Sequence, residues 1–327
     1  MKTTNNNTQS SCNSIQPPRR SKWSHVALSL ALTASFLCSL TASAATCTLV
    51  PGPALTQIAV GSTQVWGLAG DNVYQYDHAT KAFNLIPSPV NPLTQITVGE
   101  GQSVWGLDAS GNIYQYIFPD GPFVQRDGKP ALQLAQISAG AATSAGSAGV
   151  WGIGLAGGIH FWNGTEFETF DQGAIVDGKQ TPVSISVGQG APWILDNNGH
   201  AWLFNNDTGF FDGPIGAHGG GQQVLSHISV GSELYAWGIN DRDDIFVYND
   251  TTEVFDQVSP TQHLSSISVL NSDVPWGLGE TSGHLYKYAS GTFDQECPAV
   301  SSFTQVAAGA TAATTWAITN TGQIYIF

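Results

Sequence analysis

The chain has 327 residues and a formal net charge of −14, and its acidic surface would repel phosphate backbones and anionic lipids. We therefore predict neither a nucleic-acid partner nor membrane insertion. Few charges, 37 glycines and alternating apolar residues indicate an all-β protein, and no stretch shows a convincing helical period.

The N-terminal segment has the layout of a secretory signal. A basic stretch at 19–22 precedes an apolar run at 26–40, which is too short for a comfortable membrane span. Small residues at 42–44 suit a signal peptidase. We predict a cleaved signal at 1–44 and one mature domain at 45–327. The expected location is extracellular, or periplasmic if the host is a Gram-negative bacterium.

Export would change both the charge and the cysteine count. Four basic residues and no acidic ones leave with the signal, so the mature chain keeps six basic and 24 acidic residues, a net charge of −18. Cys47 and Cys297 are the remaining cysteines. Two lone cysteines in an exported chain are expected to pair, and two buried free thiols are the alternative.

One segment recurs seven times along the mature chain. It consists of a strand ending in Val-Gly, a Trp-Gly strand, a polar turn and an aromatic strand, here named strands a, b and c. The anchoring tryptophans are spaced by 39 to 46 residues: Trp66, Trp105, Trp151, Trp193, Trp237, Trp276 and Trp316. A period near 40 is typical of a four-stranded propeller blade. We predict a single seven-bladed β-propeller of four-stranded antiparallel blades.

The count of outer strands predicts how the ring closes. Six copies of a strand d begin at a phenylalanine: Phe83, Phe123, Phe167, Phe210, Phe255 and Phe293. The seventh blade lacks strand d, and residues 46–50 precede the first strand a as residues 293–297 precede the last. The N-terminal segment is therefore expected to complete blade seven, which removes exposed sheet edges. Cys47 and Cys297 then occupy consecutive d positions, where a disulfide would lock the ring.

The repeat resembles the tectonin repeat. The best match is at residues 93–116, which read Leu-Thr-Gln-Ile-Thr-Val-Gly, then Val-Trp-Gly-Leu, then Gly-Asn-Ile-Tyr. The resemblance extends over the mature chain and is clearest in blades one, two and five. It implies a β-propeller lectin or scaffold, and several such proteins bind glycans on microbial surfaces.

The turns between strands b and c are the candidate ligand-binding residues. In a four-stranded blade they share one face of the ring with the d–a connections, among which 171–182 and 213–223 are long. Amides and carboxylates suit sugar hydroxyls, although Asn, Asp and Gly also simply favour tight turns. The candidates are Asp71, Asn72, Asp108, Asn112, Asn197, Asn198, Asp241, Asp243, Glu280 and Asn320.

Other chemistry receives less support from the sequence. No catalytic motif, cofactor or metal site is predicted, although the Asp241–Asp244 region has the oxygen ligands that Ca²⁺ prefers. Trp162 and Trp202 could stack on a sugar, but their strand-c positions favour core packing. The c–d turns carry three sequons, at Asn163, Asn206 and Asn249, which are either glycan acceptors or plain hairpin turns.

These features predict a non-catalytic, exported carbohydrate-binding protein that recognises surface or cell-wall glycans through several blades. A protein-interaction scaffold is the alternative, and it requires an exposed apolar or sharply charged patch. A polysaccharide-acting enzyme is a third hypothesis, and it requires two carboxylates about 5–10 Å apart.

Overall fold

A computed structural model describes the chain at residues 47–126, 131–141, 149–170, 180–232, 234–258, 262–270, 274–309 and 314–327. The predicted signal at 1–44 lies outside the described residues. The regular elements of these ranges are β-strands. Among the described residues, no helix is long and apolar enough to cross a membrane.

The first half of the chain forms a single N-terminal strand and then three complete four-stranded sheets. The N-terminal strand is β1 (Thr48–Val50). Blade one comprises β2 (Gln57–Val60), β3 (Val65–Ala69), β4 (Asn72–Asp77) and β5 (Ala82–Ile86). Blade two comprises β6 (Leu93–Val98), β7 (Val104–Asp108), β8 (Ile113–Tyr116) and β9 (Phe123–Gln125). Blade three comprises β10 (Leu134–Ala139), β11 (Val150–Gly154), β12 (Ile159–Trp162) and β13 (Phe167–Phe170).

The second half forms four further blades. Blade four comprises β14 (Pro182–Val187), β15 (Pro192–Asp196), β16 (Ala201–Asn205) and β17 (Phe210–Asp212). Blade five comprises β18 (Gly216–Ala217), β19 (His227–Ser232), β20 (Tyr235–Ile239), β21 (Ile245–Asn249) and β22 (Val254–Gln257). Blade six comprises β23 (Leu264–Ser268), β24 (Trp276–Gly279), β25 (Leu285–Ala289) and β26 (Thr292–Glu296). Blade seven contributes β27 (Phe303–Ala307), β28 (Trp316–Thr319) and β29 (Ile324–Ile326).

The predicted closure is confirmed. The sheet of blade seven has the order β1-β29-β28-β27, and β1 pairs antiparallel with β29, with Leu49 opposite Tyr325. Each innermost strand contacts the innermost strand of the next blade, and β27 contacts β2. The seven sheets therefore form a closed ring. Blade five departs from the predicted four strands, because β18 pairs in parallel with its outer strand β22.

The innermost strands are joined by side-chain hydrogen bonds to the next blade. The Gln305 side chain accepts from the amide of Ile58 at 2.9 Å and donates to its carbonyl at 3.0 Å. Gln136 makes the same pair of bonds with Ile185, at 2.9 and 3.2 Å. The equivalent contacts are Gln57 with Ile96, Gln95 with Ile137, and His227 with Ile267. The innermost strand has a paired strand of its own blade on one edge only. The side chain from the adjacent blade therefore hydrogen-bonds main-chain groups on the other edge.

A second level of bonds lies two residues further along the same strands. Here a hydroxyl oxygen accepts from a backbone amide of the next blade at 2.9–3.1 Å. The pairs are Thr97 with Ala139, Ser138 with Val187, Ser186 with Val230, Ser229 with Val269, and Ser268 with Ala308. Together the two levels place at least one bond at each junction of the ring.

The anchoring tryptophans form the apolar layer outside these strands. Each is at most 1% exposed. Trp66 packs edge-on against Tyr116 of blade two, with ring centroids 4.8 Å apart, and 6.2 Å from Phe123. The same arrangement, a tryptophan against the next blade's aromatic pair, recurs at Trp105–Trp162, Trp151–Phe204, Trp193–Tyr248, Trp237–Tyr288 and Trp316–Tyr76. Edge-to-face geometry adds about 0.5–1.5 kcal/mol per pair beyond area burial.

In blade four, the core phenylalanine of strand d is Phe211 and not the predicted Phe210. In blade four Phe210 is 56% exposed, whereas Phe211 is buried and lies opposite Phe204. Phe211 therefore holds the position that Phe83 holds opposite Tyr76 in blade one. Adjacent residues of a strand face opposite sides of the sheet. Because two phenylalanines follow one another here, the sequence alone did not show which of them faces the core.

The glycine after the anchoring tryptophan makes room for the leucine that heads strand a. A Cβ at Gly106 would lie 2.5 Å from Leu93 Cδ1. The same pairing holds for Gly67 with Leu55, Gly152 with Leu134, Gly238 with Leu225 and Gly277 with Leu264. The two blades without this glycine, at Ile194 and Ala317, have Pro182 and Phe303 in place of the leucine. The residue after the tryptophan and the residue at the leucine position vary together because their side chains share the same space.

The predicted disulfide is present. Cys47 and Cys297 are bonded with a Cα–Cα separation of 5.5 Å, and they join β1 of blade seven to the end of β26 in blade six. The register of β1 on β29 continues to Cys47 opposite Phe327, the position of strand-d phenylalanines in other blades. Buried Cys297 belongs to the same cluster as Trp276. The disulfide thus fills a core position while it fastens the ring.

We expect the Cys47→Ser/Cys297→Ser variant to fold but to unfold at lower denaturant concentration. The bond closes a separation of 250 residues, for which chain entropy sets an upper value of about 5 kcal/mol. Equilibrium unfolding with and without reductant measures the loss. A reductant should shift the wild type and leave the double variant unchanged, and a wild type insensitive to full reduction would contradict this account.

Stability should also depend on pH through His227. Burial lowers the His227 pKa below its usual 6.5, partly offset by the hydrogen bond to Ile267. The unfolded chain then binds a proton more readily than the folded one, so stability falls as the pH drops below about 6.5. His227→Gln should reduce this acid sensitivity in unfolding measurements between about pH 7.5 and 5. His78→Gln, at an exposed histidine, is the matched control, and equal pH slopes in all three proteins would refute the prediction.

Candidate ligand-binding face

The b–c turns pack against the start of the next blade. In five of them a backbone carbonyl accepts from the first amide of the following strand a, at 2.8–3.1 Å. The acceptors are Gly111, Gly199, Asp243, Gly283 and Gly322. All five have positive φ, and Asp243 is the non-glycine member, with φ +62°. Asp243 therefore occupies a position set by backbone geometry, where Asp and Asn are tolerated best after glycine.

Asp108 organises the turn of blade two. Its carboxylate is buried and accepts from the amides of Ser110 and Asn112, both at 2.9 Å. The side chains of Asn112 and Asn91 donate to it at 2.7 and 3.1 Å. Burial acts to raise the Asp108 pKa, but these hydrogen bonds outweigh it and lower the pKa below the usual value. Asp108 and Asn112 thus lie together, with their polar groups engaged inside the turn.

Blade four repeats this design with different residues. Fully buried Asp196 accepts from the amides of Asn198 and His200 at 2.8 and 3.0 Å, and from the indole of Trp202 at 3.2 Å. The predicted residues Asn197 and Asn198 are exposed at the tip of this turn. Trp202 is buried, as is Trp162 in blade three, so the preference for core packing is confirmed for both.

The acidic turn of blade five has a third arrangement. Asn240 accepts from the amides of Arg242 and Asp244, both at 2.9 Å, and donates to the Asp244 carboxylate at 3.1 Å. Asp241 is exposed at the tip. Within the described residues no group of three metal-ligating side chains is close enough to hold an ion.

The remaining predicted residues lie at the tips of other blades. Asp71, Asn72 and Glu280 are exposed, in blades one and six. The ten candidates are therefore distributed round one face, with two in each of the turns of blades one, two, four and five and one each in blades six and seven.

Asn320 lies in a groove between blades seven and one. The groove has a volume of about 400 Å³. Its polar lining consists of Thr56, Thr304, Thr319, Asn320 and Thr321. A second groove, of about 290 Å³, adjoins it on the other side of the same turn and shares Ala54, Thr321 and Gly322. This turn thus has recesses on both sides.

Thr56 and Thr304 of this groove were not among the predicted candidates, because their sequence positions belong to the strand-a pattern, whereas Thr321 lies in the b–c turn. Thr56 directly precedes β2 and Thr304 is the second residue of β27, and each hydroxyl donates to a strand-b carbonyl, at 3.2 and 3.4 Å. Thr94, Ser226 and Ser265 are bonded in the same way in other blades. The signal was the recurrent hydroxyl after the leucine that heads strand a. These exposed hydroxyls keep acceptor capacity for a ligand.

At the opposite end of the ring, the described inner strands of neighbouring blades lie close together. There the inner strands approach so closely that a Cβ at Gly99 would lie 2.7 Å from the carbonyl oxygen of Gly140. Leu270 lines the same narrow space, of about 10 Å³.

The three sequon asparagines lie in or beside c–d turns. Asn163 and Asn249 each accept from two backbone amides of their turn, and their side-chain amides donate to Glu168 and Asp256. In blade four Asn205 has this role, and Asn206 donates to the Gly190 carbonyl at 3.2 Å. Turn formation thus accounts for these residues structurally, and their glycosylation stays a prediction.

Residues 54–144 match the family described as Tectonin domain. The match covers the tectonin-like blades one and two and the first strand of blade three, and it includes the segment 93–116 that carried the resemblance. A search of curated proteins found no match.

Solved structures similar to this tectonin-like ring are β-propellers. The propeller domain of Cps50 (Swd1) from Myceliophteria thermophila has a TM-score of 0.64 and 10% identity, over 86% of this chain and 99% of that one. YCF48 from Cyanidioschyzon merolae has a TM-score of 0.61 and 12% identity, over 86% and 98%. The WD40 repeats of RRP9 score 0.62 at 11% identity, over 86% and 96%. At such identities the likeness establishes the fold alone.

We expect Asp108→Ala to destabilise the protein by about 1–3 kcal/mol, because it leaves several partly buried donors of the turn without their acceptor. The lowered pKa means that this contribution is present above about pH 4 and is lost as the pH falls through the folded-state pKa. Asp241→Ala, at an exposed tip, should stay within about 0.5 kcal/mol of wild type. Urea unfolding of the two variants tests the contrast, and equal losses would refute it.

Proposed function

We propose that this protein is an exported, non-catalytic lectin that binds surface or cell-wall glycans through the face of the b–c turns. The observation that carries the proposal is the groove between blades seven and one, where four threonines and Asn320 line a recess of about 400 Å³. Hydroxyl and amide groups both accept and donate, as sugar hydroxyls require. The tectonin match supports the same reading.

Repetition would strengthen such binding. Exposed b–c turn residues recur in several blades, so a glycan with a regular pattern could engage several sites at once. Weak individual sites then gain avidity through effective concentration. The predicted signal and the Cys47–Cys297 disulfide support an extracellular or periplasmic setting.

A protein-interaction scaffold is the second candidate, and one observation favours it. Leu155 in the b–c turn of blade three is 61% exposed, and Val183 of blade four is 56% exposed. Val183 takes the strand-a position that Thr56 and Thr304 hold in blades one and seven. The face is thus polar at the junction of blades seven and one and carries exposed apolar side chains in blades three and four. Exposed apolar surface is typical of protein contacts.

A glycan array combined with whole-cell binding tests the lectin proposal. Asn320→Ala should weaken the best glycan about tenfold, since one ligand hydrogen bond is worth about 1.4 kcal/mol. Asn84→Ala, on the exposed outer strand of blade one, is the matched control and should bind like wild type. Folded wild-type protein that binds no sugar and no cell wall would exclude the lectin function.

A further inference from the structure

A cleft of about 520 Å³ lies between blades four and five, away from the groove at Asn320. One wall is formed by residues 213–216, which leave the outer strand of blade four and continue into β18 at the outer edge of blade five. The longer d–a connection therefore builds a recess on the rim of the ring.

Part of the cleft lining is apolar. Leu203 and Ile215 are partly buried there, and Tyr248 is 7% exposed. Leu234, in the a–b turn of blade five, is 46% exposed at the margin. The recess thus offers aliphatic surface that a hydrocarbon chain could cover.

The remaining margin is acidic. Asp212, Asp250 and Glu253 line the cleft, and all three are exposed. Asp212 accepts from Asn205 at 2.7 Å, and Asp250 accepts from the Thr251 hydroxyl at 3.4 Å. None of the described lining residues is a lysine or an arginine. Three carboxylates therefore face solvent beside apolar surface, and the described lining residues supply no cation to pair with them.

We propose that this cleft docks an extended segment of a partner protein that carries an arginine next to an aliphatic residue. The arginine stem would lie along Leu203 and Leu234 while its guanidinium pairs with the carboxylates. Arginine suits the site better than lysine, because its planar group can bridge two carboxylates. A neutral glycan cannot form ion pairs with these carboxylates. We therefore expect the cleft to have a different ligand from the proposed sugar groove at Asn320.

The ligand side of the test uses two matched peptides. One is acetyl-Gly-Leu-Arg-Leu-Gly-amide, and the other has citrulline, which is uncharged and nearly isosteric, in place of arginine. Methyl NMR of leucine-labelled protein should show shifts at Leu203 and Leu234 with the arginine peptide, and binding at least about tenfold weaker with citrulline. Equal binding of the two peptides, or no shift up to about 10 mM peptide, would overturn the proposal.

The protein side of the test neutralises the margin. Asp250→Asn/Glu253→Gln should weaken the arginine peptide about tenfold and leave the citrulline peptide unchanged. Asp207→Asn/Asp294→Asn removes two exposed carboxylates outside the cleft and is the matched control. Unchanged affinity in the first variant would refute the site. Glycan binding, measured on the same proteins, should be wild-type in both, so the outcome is independent of the lectin proposal.

Discussion

The ring depends on hydrogen bonds between side chains of each innermost strand and main-chain groups of the innermost strand in the next blade. A propeller packs its innermost strands around an axis, where no further strand of the same blade can pair with their main-chain groups. Gln136 and Gln305 solve this by presenting an amide that accepts from a neighbouring N–H and donates to a C=O. Such bonds require one spacing between blades, so they set the geometry that the outer strands follow.

The tryptophan layer complements these bonds with burial. Six of the seven indoles pack on an aromatic pair of the following blade, which consists of one residue from strand c and one from strand d. Blade seven has no strand d of its own, so Cys47 takes the phenylalanine position and the disulfide replaces the missing ring. One covalent bond therefore serves both packing and closure, because the first and last strands meet at that position.

The polar turns have a mixed role that follows from burial. Asp108 and Asp196 carry the polarity that suggested a binding face, yet their carboxylates are buried and bonded within their own turns. The side chains that remain available belong to exposed tips such as Asn197 and Asp241, and to the groove at Asn320. A buried carboxylate requires hydrogen-bond donors close by, so Asp108 and Asp196 stabilise their own turns. Contacts with a ligand would then come from neighbouring exposed residues.

The seven blades, the order of strands a to d, the N-terminal closure and the cysteine pair could all be predicted from the amino-acid sequence. These follow from periodicity, since strands alternate every two residues and each blade repeats the same short-range pattern. Two features became visible only in the folded protein: Phe211, not Phe210, enters the core, and residues 216–217 add a strand to blade five. The folded protein also shows which polar residues lie in recesses, as with Thr304 and Asn320. Recesses arise where two blades meet, and that meeting depends on loop paths and side-chain volumes that no single repeat encodes.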